Sequence, residues 1–282
     1  MPKSSWPKTV DAHAPAKINL ALHVTGRRPD GYHLLDSLVA FAAIGDEITC
    51  KPSDDLTFRV TGPHAAGVPT GPENLVLRAA GIMGVERVSI ELNKHLPVAA
   101  GLGGGSSDAA ATLRALSKLT GHPLPAGDAL LRLGADVPVC LRGQSARIRG
   151  IGERIDSIVI PALAAVLINP GVSVSTSEIF RALPQKTRPP MPETMPEWKT
   201  VDELSTWLTA QRNDLETPAI AFRPIIADAL AALRNDDVLL ARMSGSGATC
   251  FGICSDAKTA RNVAKRIADA HPDWWVMSSG VT

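Results

Sequence analysis

The chain has 282 residues, of which 45% are apolar, and its 29 Lys and Arg against 28 Asp and Glu leave a net charge of +1. This length suits one large domain or two ordinary ones, and the apolar share suffices for hydrophobic cores. The near-neutral charge argues against a nucleic-acid-binding module, whose binding face usually makes the domain basic.

Neither the start of the chain nor its cysteines point to export. Residues 1–8 have no apolar signal core, and the longest apolar run, around 162–168, is much shorter than the roughly 20 residues that span a bilayer. The four cysteines, Cys50, Cys140, Cys250 and Cys254, form no Cys-x-x-Cys pair and lie at no zinc-finger spacing from a histidine. We therefore predict reduced thiols in a cytoplasmic protein with no membrane partner and no metal site of its own.

After a frayed leader over residues 1–10, the first predicted element is a strand over 14–24. Its apolar residues alternate with a second set, which consists of Lys17, Asn19, Ala21 and His23. Polar residues two apart on a strand point to the same side. The pattern leaves open whether Lys17 and Asn19 face water or a binding site.

A tight turn follows at Asp30-Gly31 and leads directly into Tyr32-His33, which contains the only tyrosine of the chain. An aromatic ring beside an imidazole can stack on a base and hydrogen-bond to it. The same pair can instead form a strand end that packs on the turn. Further along, the pattern predicts strands over 34–41, 47–50, 56–60 and 88–92 and a helix over 74–83.

The segment Pro97–Asp108 joins the strand at 88–92 to a predicted helix. It carries four glycines in five residues, at positions 101 and 103–105. Glycine permits close approach of the backbone to an anion, and the amides and dipole of a helix start attract phosphate. Ser106, Ser107 and Asp108 are candidate N-cap residues. An ordinary glycine-rich turn is the alternative, whereas neither Gly-Lys-Ser/Thr nor Gly-x-Gly-x-x-Gly fits the spacing.

A short helix is predicted over 128–133, and Pro138 ends helical structure within Gly134–Pro138. Asp136 then lies just past a helix end, where the negative pole of the helix gives an acid no stabilisation. Such an acid has either a role in a site or a role in capping the loop.

The second half follows strands at 145–151 and 157–160. The pattern predicts a strand over 164–168, a helix reached through 173–180, helices over 202–210 and 225–233, and a strand, helix and strand within 250–277. This order is typical of a ferredoxin-like half. Five prolines make 184–198 a predicted surface loop, a class of segment that is often mobile. A second glycine loop lies at Met243–Thr249.

Three stretches together resemble the GHMP kinase superfamily: Pro15–Leu20, Pro97–Ser107 and Met243–Thr249. Three more resemble, within it, the kinases of a cytidyl-diphospho sugar alcohol: Asp30–His33, Gly134–Pro138 and Asn213–Glu216. The resemblance implies an α+β GHMP kinase fold. Its N-terminal half, residues 1–161, would be like ribosomal protein S5 domain 2, and its C-terminal half, residues 162–282, would be ferredoxin-like.

The same resemblance implies ATP-dependent phosphorylation of the 2-hydroxyl of that small molecule in non-mevalonate isoprenoid precursor synthesis, with MgATP as the co-substrate. By matching position, Asp136 is the catalytic base and Lys17 its cationic partner, and Lys94 and Asn74 are further candidates for the nucleotide pocket. The loop that would wrap the ATP phosphates consists of Pro97, Val98, Ala99, Ala100, Gly101, Leu102, Gly103, Gly104, Gly105, Ser106 and Ser107.

Tyr32 and His33 match the positions that hold the cytosine, and Phe180 resembles the second aromatic of that sandwich. The other matches to substrate-contact positions are Asn19, Thr176, Gly245, Ser246 and Gly247. A rival within the superfamily is a kinase such as homoserine kinase, whose small alcohol needs no base sandwich.

Two further expectations concern the glycine loop and the assembly. Ala99-Ala100 stand where the family often has glycines, and alanine costs little there unless φ is positive. We therefore expect slightly stiffer nucleotide binding without loss of function. We also expect a monomer or a weak homodimer.

Overall fold

The computed structural model describes residues 7–185 and 187–282. The chain forms two compact units, each assembled from separate stretches of sequence. The first unit contains the chain up to Ala16, Gly45–Val98 and Gly103–Gly143. The second unit contains Lys17–Ile44, Ala99–Leu102 and Gln144–Thr282.

The elements mix strands and helices, as predicted. The strands are β1 Val10–Arg27, β2 His33–Pro52, β3 Thr57–Thr61, β4 Val88–Asn93, β5 Ala146–Gly150, β6 Arg154–Ser157, β7 Leu163–Asn169, β8 Leu240–Met243, β9 Cys250–Cys254 and β10 Trp275–Val281. The α-helices are α1 Leu75–Ile82, α2 Gly104–Thr120, α3 Asp128–Leu133, α4 Val137–Arg142, α5 Thr176–Arg181, α6 Val201–Thr209, α7 Glu216–Phe222, α8 Ile225–Arg234 and α9 Ala257–Ala270.

In the first unit, a sheet packs against helices α1 and α2. The end of β2 pairs antiparallel with β4, and β3 pairs parallel with β4. Val88, Ile90 and Leu92 are buried while their neighbours in β4 are half-buried, so the predicted two-residue alternation is confirmed. They share a core with α1 and α2, whose buried apolar residues include Val76, Leu113 and Leu116.

In the second unit, β10 runs antiparallel to β7, which pairs with β9, and β8 closes that edge. β2 pairs with β10 through Ala42 and Val281 and with β5 through Leu35–Val39. Helices α8 and α9 pack on this sheet and supply much of its apolar core. The strand, helix and strand predicted within 250–277 are therefore confirmed.

Strand β1 is buried on both of its faces. Lys17 and Asn19 are each 4% exposed and His23 is 1% exposed, so the interpretation in which these side chains face water is wrong. Within the second unit, β1 pairs with β2 on one edge, and on the other Leu22 exchanges backbone hydrogen bonds with Arg212 and Asp214. A strand enclosed in this way holds its polar side chains inside the protein.

Two predictions about element boundaries are corrected. The strands predicted at 34–41 and 47–50 are one strand, β2, which continues through Gly45, where a side chain would collide with the Ala14 carbonyl. Pro138 does not end helical structure but lies in the first turn of α4. Proline suits that turn, because its missing N–H would have no helical partner there.

The proline-rich segment is a surface loop, as predicted, since its described residues form no helix or strand and most of them are exposed. Two of its side chains are nevertheless buried, because Met191 is 2% exposed and Trp198 is 7% exposed. Trp198 contacts Trp207 of α6 edge to face. The loop is therefore anchored to the protein at two points that its proline-rich composition does not indicate. Across the described parts of the chain, no helix has the length and apolar character needed to cross a bilayer.

Candidate active site

The start of helix α2 is capped by a glycine. Gly103 occupies the N-cap position with φ +62°, and the helix begins at Gly104. The prediction that Ser106, Ser107 or Asp108 caps the helix is therefore wrong, because these residues already lie inside it. Ser107 Oγ donates to the Pro15 carbonyl at 2.7 Å instead. Since no side chain caps the helix, its first amides are left to an anion.

A buried charged cluster, which we call the loop clamp, consists of Asp46, Lys94 and Asp108. The Lys94 ammonium donates to Asp46 at 2.6 Å and to Asp108 at 2.7 Å, and its side chain is 4% exposed. The other oxygen of Asp46 accepts from the backbone N–H groups of His95 and Leu96. The clamp thus joins the residues before the glycine loop to the first turns of the helix after it.

The loop clamp holds two carboxylates against one ammonium. Asp46 is hydrogen-bonded through both oxygens, whereas Asp108 Oδ1 is buried with no partner among the described residues. Burial, together with the Asp46 charge, raises the pKa of Asp108 to about 7, although the Lys94 charge acts to lower it. Burial opposes the Lys94 charge, yet the two carboxylates raise the pKa of Lys94 above its usual value. Asp108 is therefore the member that takes up a proton.

Asp136 lies in the first unit, at the N-cap position of α4, although its side chain does not cap that helix. Asp136 lies just past the end of α3, as predicted. The expectation that the helix dipole gives it no stabilisation is wrong, since α4 begins directly after it and presents its positive pole. The preceding Gly134 lies against the α2 start, where a Cβ would be 3.6 Å from Ser106 Oγ. The turn that carries Asp136 is thus packed next to the candidate phosphate-binding helix start.

In the second unit, the middle of the glycine loop packs on the second glycine loop. Ser244 Oγ donates to the Gly101 carbonyl at 2.9 Å, and the Thr249 N–H donates to the Ala100 carbonyl at 3.1 Å. Gly101 has φ +75°, and a side chain there would collide with the Ser244 carbonyl, so only glycine fits. The two glycine-rich motifs are therefore in direct contact.

Lys17 and Asn19 lie beside these loops. The Lys17 N–H donates to the Leu102 carbonyl at 2.8 Å, and the Asn19 N–H donates to Ser244 Oγ at 3.1 Å. The Asn19 side-chain amide donates to Ser37 Oγ at 2.8 Å, which leaves its buried Oδ1 without a donor among the described residues. That oxygen can accept a hydrogen bond from a hydroxyl group.

The predicted substrate residues of the second unit form a connected row. Thr176 Oγ1 and Ser246 Oγ are 2.8 Å apart, and Thr176 and Phe180 lie one helical turn apart on α5. Phe180 in turn stacks on His33, with ring centroids 4.9 Å apart and planes inclined by 24°. A base between two rings needs two contacts of about 3.5–4 Å, so none fits between these two. Tyr32, the residue before His33, is 61% exposed.

The residues that support the second glycine loop were not predicted individually. Asn213 donates from its amide to the carbonyls of Met243 and Gly245, both at 2.8 Å. Glu216 accepts from the Met243 N–H at 3.0 Å. Both belong to the Asn213–Glu216 motif, whose resemblance to a family was the one signal that marked them.

The candidate residues divide between the two units. Asp136 and the loop residues Gly103–Ser107 belong to the first unit. Lys17 and all the predicted substrate residues belong to the second, with Ala99–Leu102. Among the described residues, no three His, Cys, Asp or Glu side chains group so as to hold a metal ion. A Mg²⁺ ion that arrives on nucleotide phosphates needs only one or two protein oxygens, so this donor set suits a metal bound mainly by its substrate.

The sequence matches two family models, described as GHMP kinases N terminal domain over residues 74–145 and GHMP kinases C terminal over residues 194–273. A protein of Cereibacter sphaeroides named 4-diphosphocytidyl-2-C-methyl-D-erythritol kinase is 54% identical over 94% of this chain and 97% of its own length. A protein of the same name from Dinoroseobacter shibae is 55% identical over 95% of this chain and 94% of its own length.

Solved structures agree with these relatives. A crystal structure of 4-(cytidine 5'-diphospho)-2C-methyl-D-erythritol kinase, at 33% identity, superposes with a TM-score of 0.77 over 96% of this chain and 98% of that chain. A homoserine kinase from Cytophaga hutchinsonii, at 19% identity, gives a TM-score of 0.65 over 97% of this chain and 95% of that one. At that identity the second likeness concerns the fold alone.

Proposed function

The chain belongs to the family of 4-diphosphocytidyl-2-C-methyl-D-erythritol kinases, and from that premise we propose that it transfers the γ-phosphoryl group of ATP to the 2-hydroxyl of the cytidyl sugar alcohol. Membership of this family also confirms the predicted GHMP kinase fold class. The reaction is a step of non-mevalonate isoprenoid precursor synthesis.

In the proposed mechanism, the Asp136 carboxylate takes the proton of the hydroxyl while the hydroxyl oxygen bonds to the γ-phosphorus and ADP leaves. The Lys17 ammonium favours the ionised carboxylate and the developing negative charge on oxygen. The amides at the α2 start bind the phosphates, and Mg²⁺ bound with the nucleotide would supply the charge neutralisation that phosphoryl transfer needs. Both catalytic roles come from the family resemblance.

The row of residues in the second unit is the observation that supports a cytidyl substrate. It runs from Ser246 through Thr176 and Phe180 to His33, so polar contacts at one end give way to aromatic rings at the other. A sugar alcohol joined to a base through a diphosphate has the same order of groups. We propose that the cytosine stacks on the open side of the Tyr32, His33 and Phe180 cluster.

The test is phosphate transfer from ATP to several alcohols under identical conditions. We expect turnover of the cytidyl sugar alcohol and none of homoserine, since a small amino-acid alcohol has no ring for the aromatic cluster. Turnover of homoserine without turnover of the cytidyl compound would reject this choice. Salt-dependent retention of RNA without ATP turnover would instead favour a nucleic-acid-binding module.

The aromatic end of the row can be tested by itself. We expect Phe180→Ala to weaken binding of the cytidyl substrate by roughly 1–3 kcal/mol, the range for loss of a base stacked on an aromatic ring. Calorimetric titration with cytidine diphosphate measures this loss. Phe222→Ala is the matched control, because Phe222 is a 40% exposed ring outside the row. Equal affinities in the Phe180→Ala variant and the wild type would remove Phe180 from the base site.

The remaining proposals concern the setting of the enzyme. We propose that it works in the cytoplasm as a monomer or weak homodimer, and that its domains divide near residue 161. All four cysteines are buried free thiols, as predicted. Burial raises the pKa of Cys50 to about 12 and that of Cys254 to about 11, which leaves both as unreactive thiols.

A further inference from the structure

We propose that residues 188–198, which we call the strap, are a positioning element that holds the base-binding hairpin against helix α5 and so sets the affinity for the cytidyl group. This proposal rests on the proposed function for the identity of the ligand. The strap contacts both strands of one hairpin, and all of these contacts lie within the second unit.

The first contact fixes strand β1. The Arg188 N–H donates to the Val24 carbonyl at 3.0 Å, and the Arg188 guanidinium donates to Asp214 Oδ1 at 2.6 Å. Asp214 Oδ2 accepts from the Val24 N–H at 2.7 Å. Both backbone groups of Val24 are therefore bound either to the strap or to the carboxylate that the strap binds.

The second contact fixes strand β2. The Met191 N–H donates to Asp36 Oδ2 at 2.8 Å, and Asp36 forms a two-pronged ion pair with Arg147 at 2.8 Å on each side. The same guanidinium donates to three carbonyls of the strap, those of Met191, Pro192 and Glu193. Asp36 and Arg147 together, which we call the strap anchor, thus bind the backbone of the strap and β2 at one point.

These two contacts lie on the two strands of the hairpin that carries Tyr32 and His33. β1 and β2 form a hairpin whose connection carries Tyr32, with His33 as the first residue of β2. Thr25 Oγ1 donates to the Leu34 carbonyl at 3.2 Å just below that connection. Val24 is adjacent to Thr25 on β1, and Asp36 lies two residues beyond Leu34 on β2, so the strap binds each strand close to that bond.

The strap also follows Phe180, the ring that stacks on His33, along the chain. Phe180 lies near the end of α5, a few residues before the strap begins. The chain therefore leaves Phe180, binds β1 at Val24 and then binds β2 at Asp36. His33 and Phe180 come from separate elements, and the strap binds the hairpin that carries His33. An aromatic cluster held in this way needs less ordering when a base binds.

Arg188→Met is the variant that tests the strap with least risk to folding, because Asp214 keeps its bonds to Arg212 Nε and to the Val24 N–H. We expect the Kd for cytidine diphosphate and the KM for the cytidyl substrate to rise by roughly 5- to 30-fold, equivalent to about 1–2 kcal/mol. We expect kcat and the KM for ATP to stay within about twofold of wild type. Arg188→Lys should recover most of the affinity, since it keeps the charge.

The matched control is Arg266→Met, which removes another half-exposed arginine, one that is paired with Asp236 in the same unit. It should leave the Kd for cytidine diphosphate, both KM values and kcat unchanged. Amide hydrogen exchange over residues 24–36 is the second readout, and it should be faster in Arg188→Met than in the control. Unchanged cytidine diphosphate affinity together with unchanged exchange in Arg188→Met would overturn the proposal.

The two proposals fail in different ways. A wild-type protein that neither binds cytidine diphosphate nor phosphorylates the cytidyl alcohol would contradict the proposed function. The exchange measurement would still decide whether the strap holds the hairpin. A wild type that binds the ligand, beside an Arg188→Met variant that binds it equally well through an equally protected hairpin, would contradict the strap alone.

Discussion

The loop clamp of the first unit and the strap anchor of the second are both buried ion clusters, but they differ in how fully their polar atoms are paired. Arg147 directs its Nε and both terminal nitrogens to Asp36 and to three carbonyls, which uses all the donors of a guanidinium. The clamp sets two carboxylates against one ammonium, and Asp108 Oδ1 has no partner among the described residues.

The excess carboxylate makes the loop clamp able to take up a proton near neutral pH. A fully paired arginine and carboxylate hold one geometry, and removal of either partner leaves a buried charge behind. A cluster with one carboxylate too many can take up a proton and change its charge near neutral pH. We therefore expect the support of the glycine loop in the first unit to vary with pH near neutrality.

Among the variants that test this comparison, Arg147→Met should have the largest effect on the free energy of unfolding. It leaves Asp36 buried without its cation, which costs about 3–5 kcal/mol of the free energy of unfolding. Urea denaturation at pH 7 measures the loss. Arg59→Met is the control, because Arg59 is exposed and its ion pair with Glu91 lies at the protein surface, outside the unit that contains the strap. Such exposed pairs contribute about 0–1 kcal/mol. Equal losses in the two variants would contradict the distinction between the anchor and an ordinary surface pair.

Asp108→Asn tests the titration of the loop clamp. The folded state binds a proton at Asp108 up to a pKa of about 7, while the unfolded chain releases it near the ordinary value of 3.8. Stability contributed by that proton is present at low pH and is lost as the pH rises between these two values. The variant lacks this loss. Between pH 5 and pH 8, its free energy of unfolding should therefore rise by roughly 1–3 kcal/mol relative to that of the wild type.

Urea denaturation of both proteins at several pH values gives this difference directly. Asp269→Asn is the control, since Asp269 is an exposed carboxylate paired with Lys265. Two parallel curves for the wild type and Asp108→Asn would show that the clamp does not titrate in this range, and would remove its contrast with the strap anchor.

Ala99→Gly has the smallest expected effect, and it concerns the loop whose ends the clamp joins. Ala99 has φ +52°, a left-handed conformation that costs a non-glycine residue about 1–2 kcal/mol. Alanine was expected to be costly in this loop only where φ is positive, and Ala99 has a positive φ. Glycine should relieve most of this strain but gains backbone freedom in the unfolded chain, so we expect a net rise of up to about 1 kcal/mol in the free energy of unfolding.

Ala100→Gly is the paired control, because Ala100 is not among the residues with positive φ. That substitution should destabilise the protein by about 0.5–1 kcal/mol. A thermal melt of the two variants gives the sign of each change. Destabilisation of equal size in both would mean that Ala99 is not strained.

The sequence predicted those elements whose ends are clearly marked. β4, α3 and β9 lie where the patterns indicated, because each has one dominant period and clear breaks at its ends. β2 was predicted as two strands, since the small residues Ala42, Ala43 and Gly45 weaken the apolar pattern between them. The small helix α4 was missed, because Pro138 was taken as a helix end when it marks a helix start.

The sequence marked the motifs of the candidate site but not the long-range contacts that its residues make. Local pattern marked the two glycine loops but left Lys17 and Asn19 open between water and a site, because burial on both faces of β1 depends on distant segments such as Arg212–Asp214. The partners of Asp108 could not be foreseen either, since Asp46 lies far away in sequence. The proline-rich composition of the strap concealed the two buried side chains, Met191 and Trp198, that anchor it.

The rate of phosphate transfer to the cytidyl alcohol by Asp136→Asn, with ATP binding measured on the same protein, tests the central claim most directly. We expect ATP affinity to stay close to that of the wild type and turnover to fall on the order of 10²-fold or more, the effect of a missing general base. Turnover near the wild-type rate would contradict the assignment of Asp136 and with it the proposed mechanism.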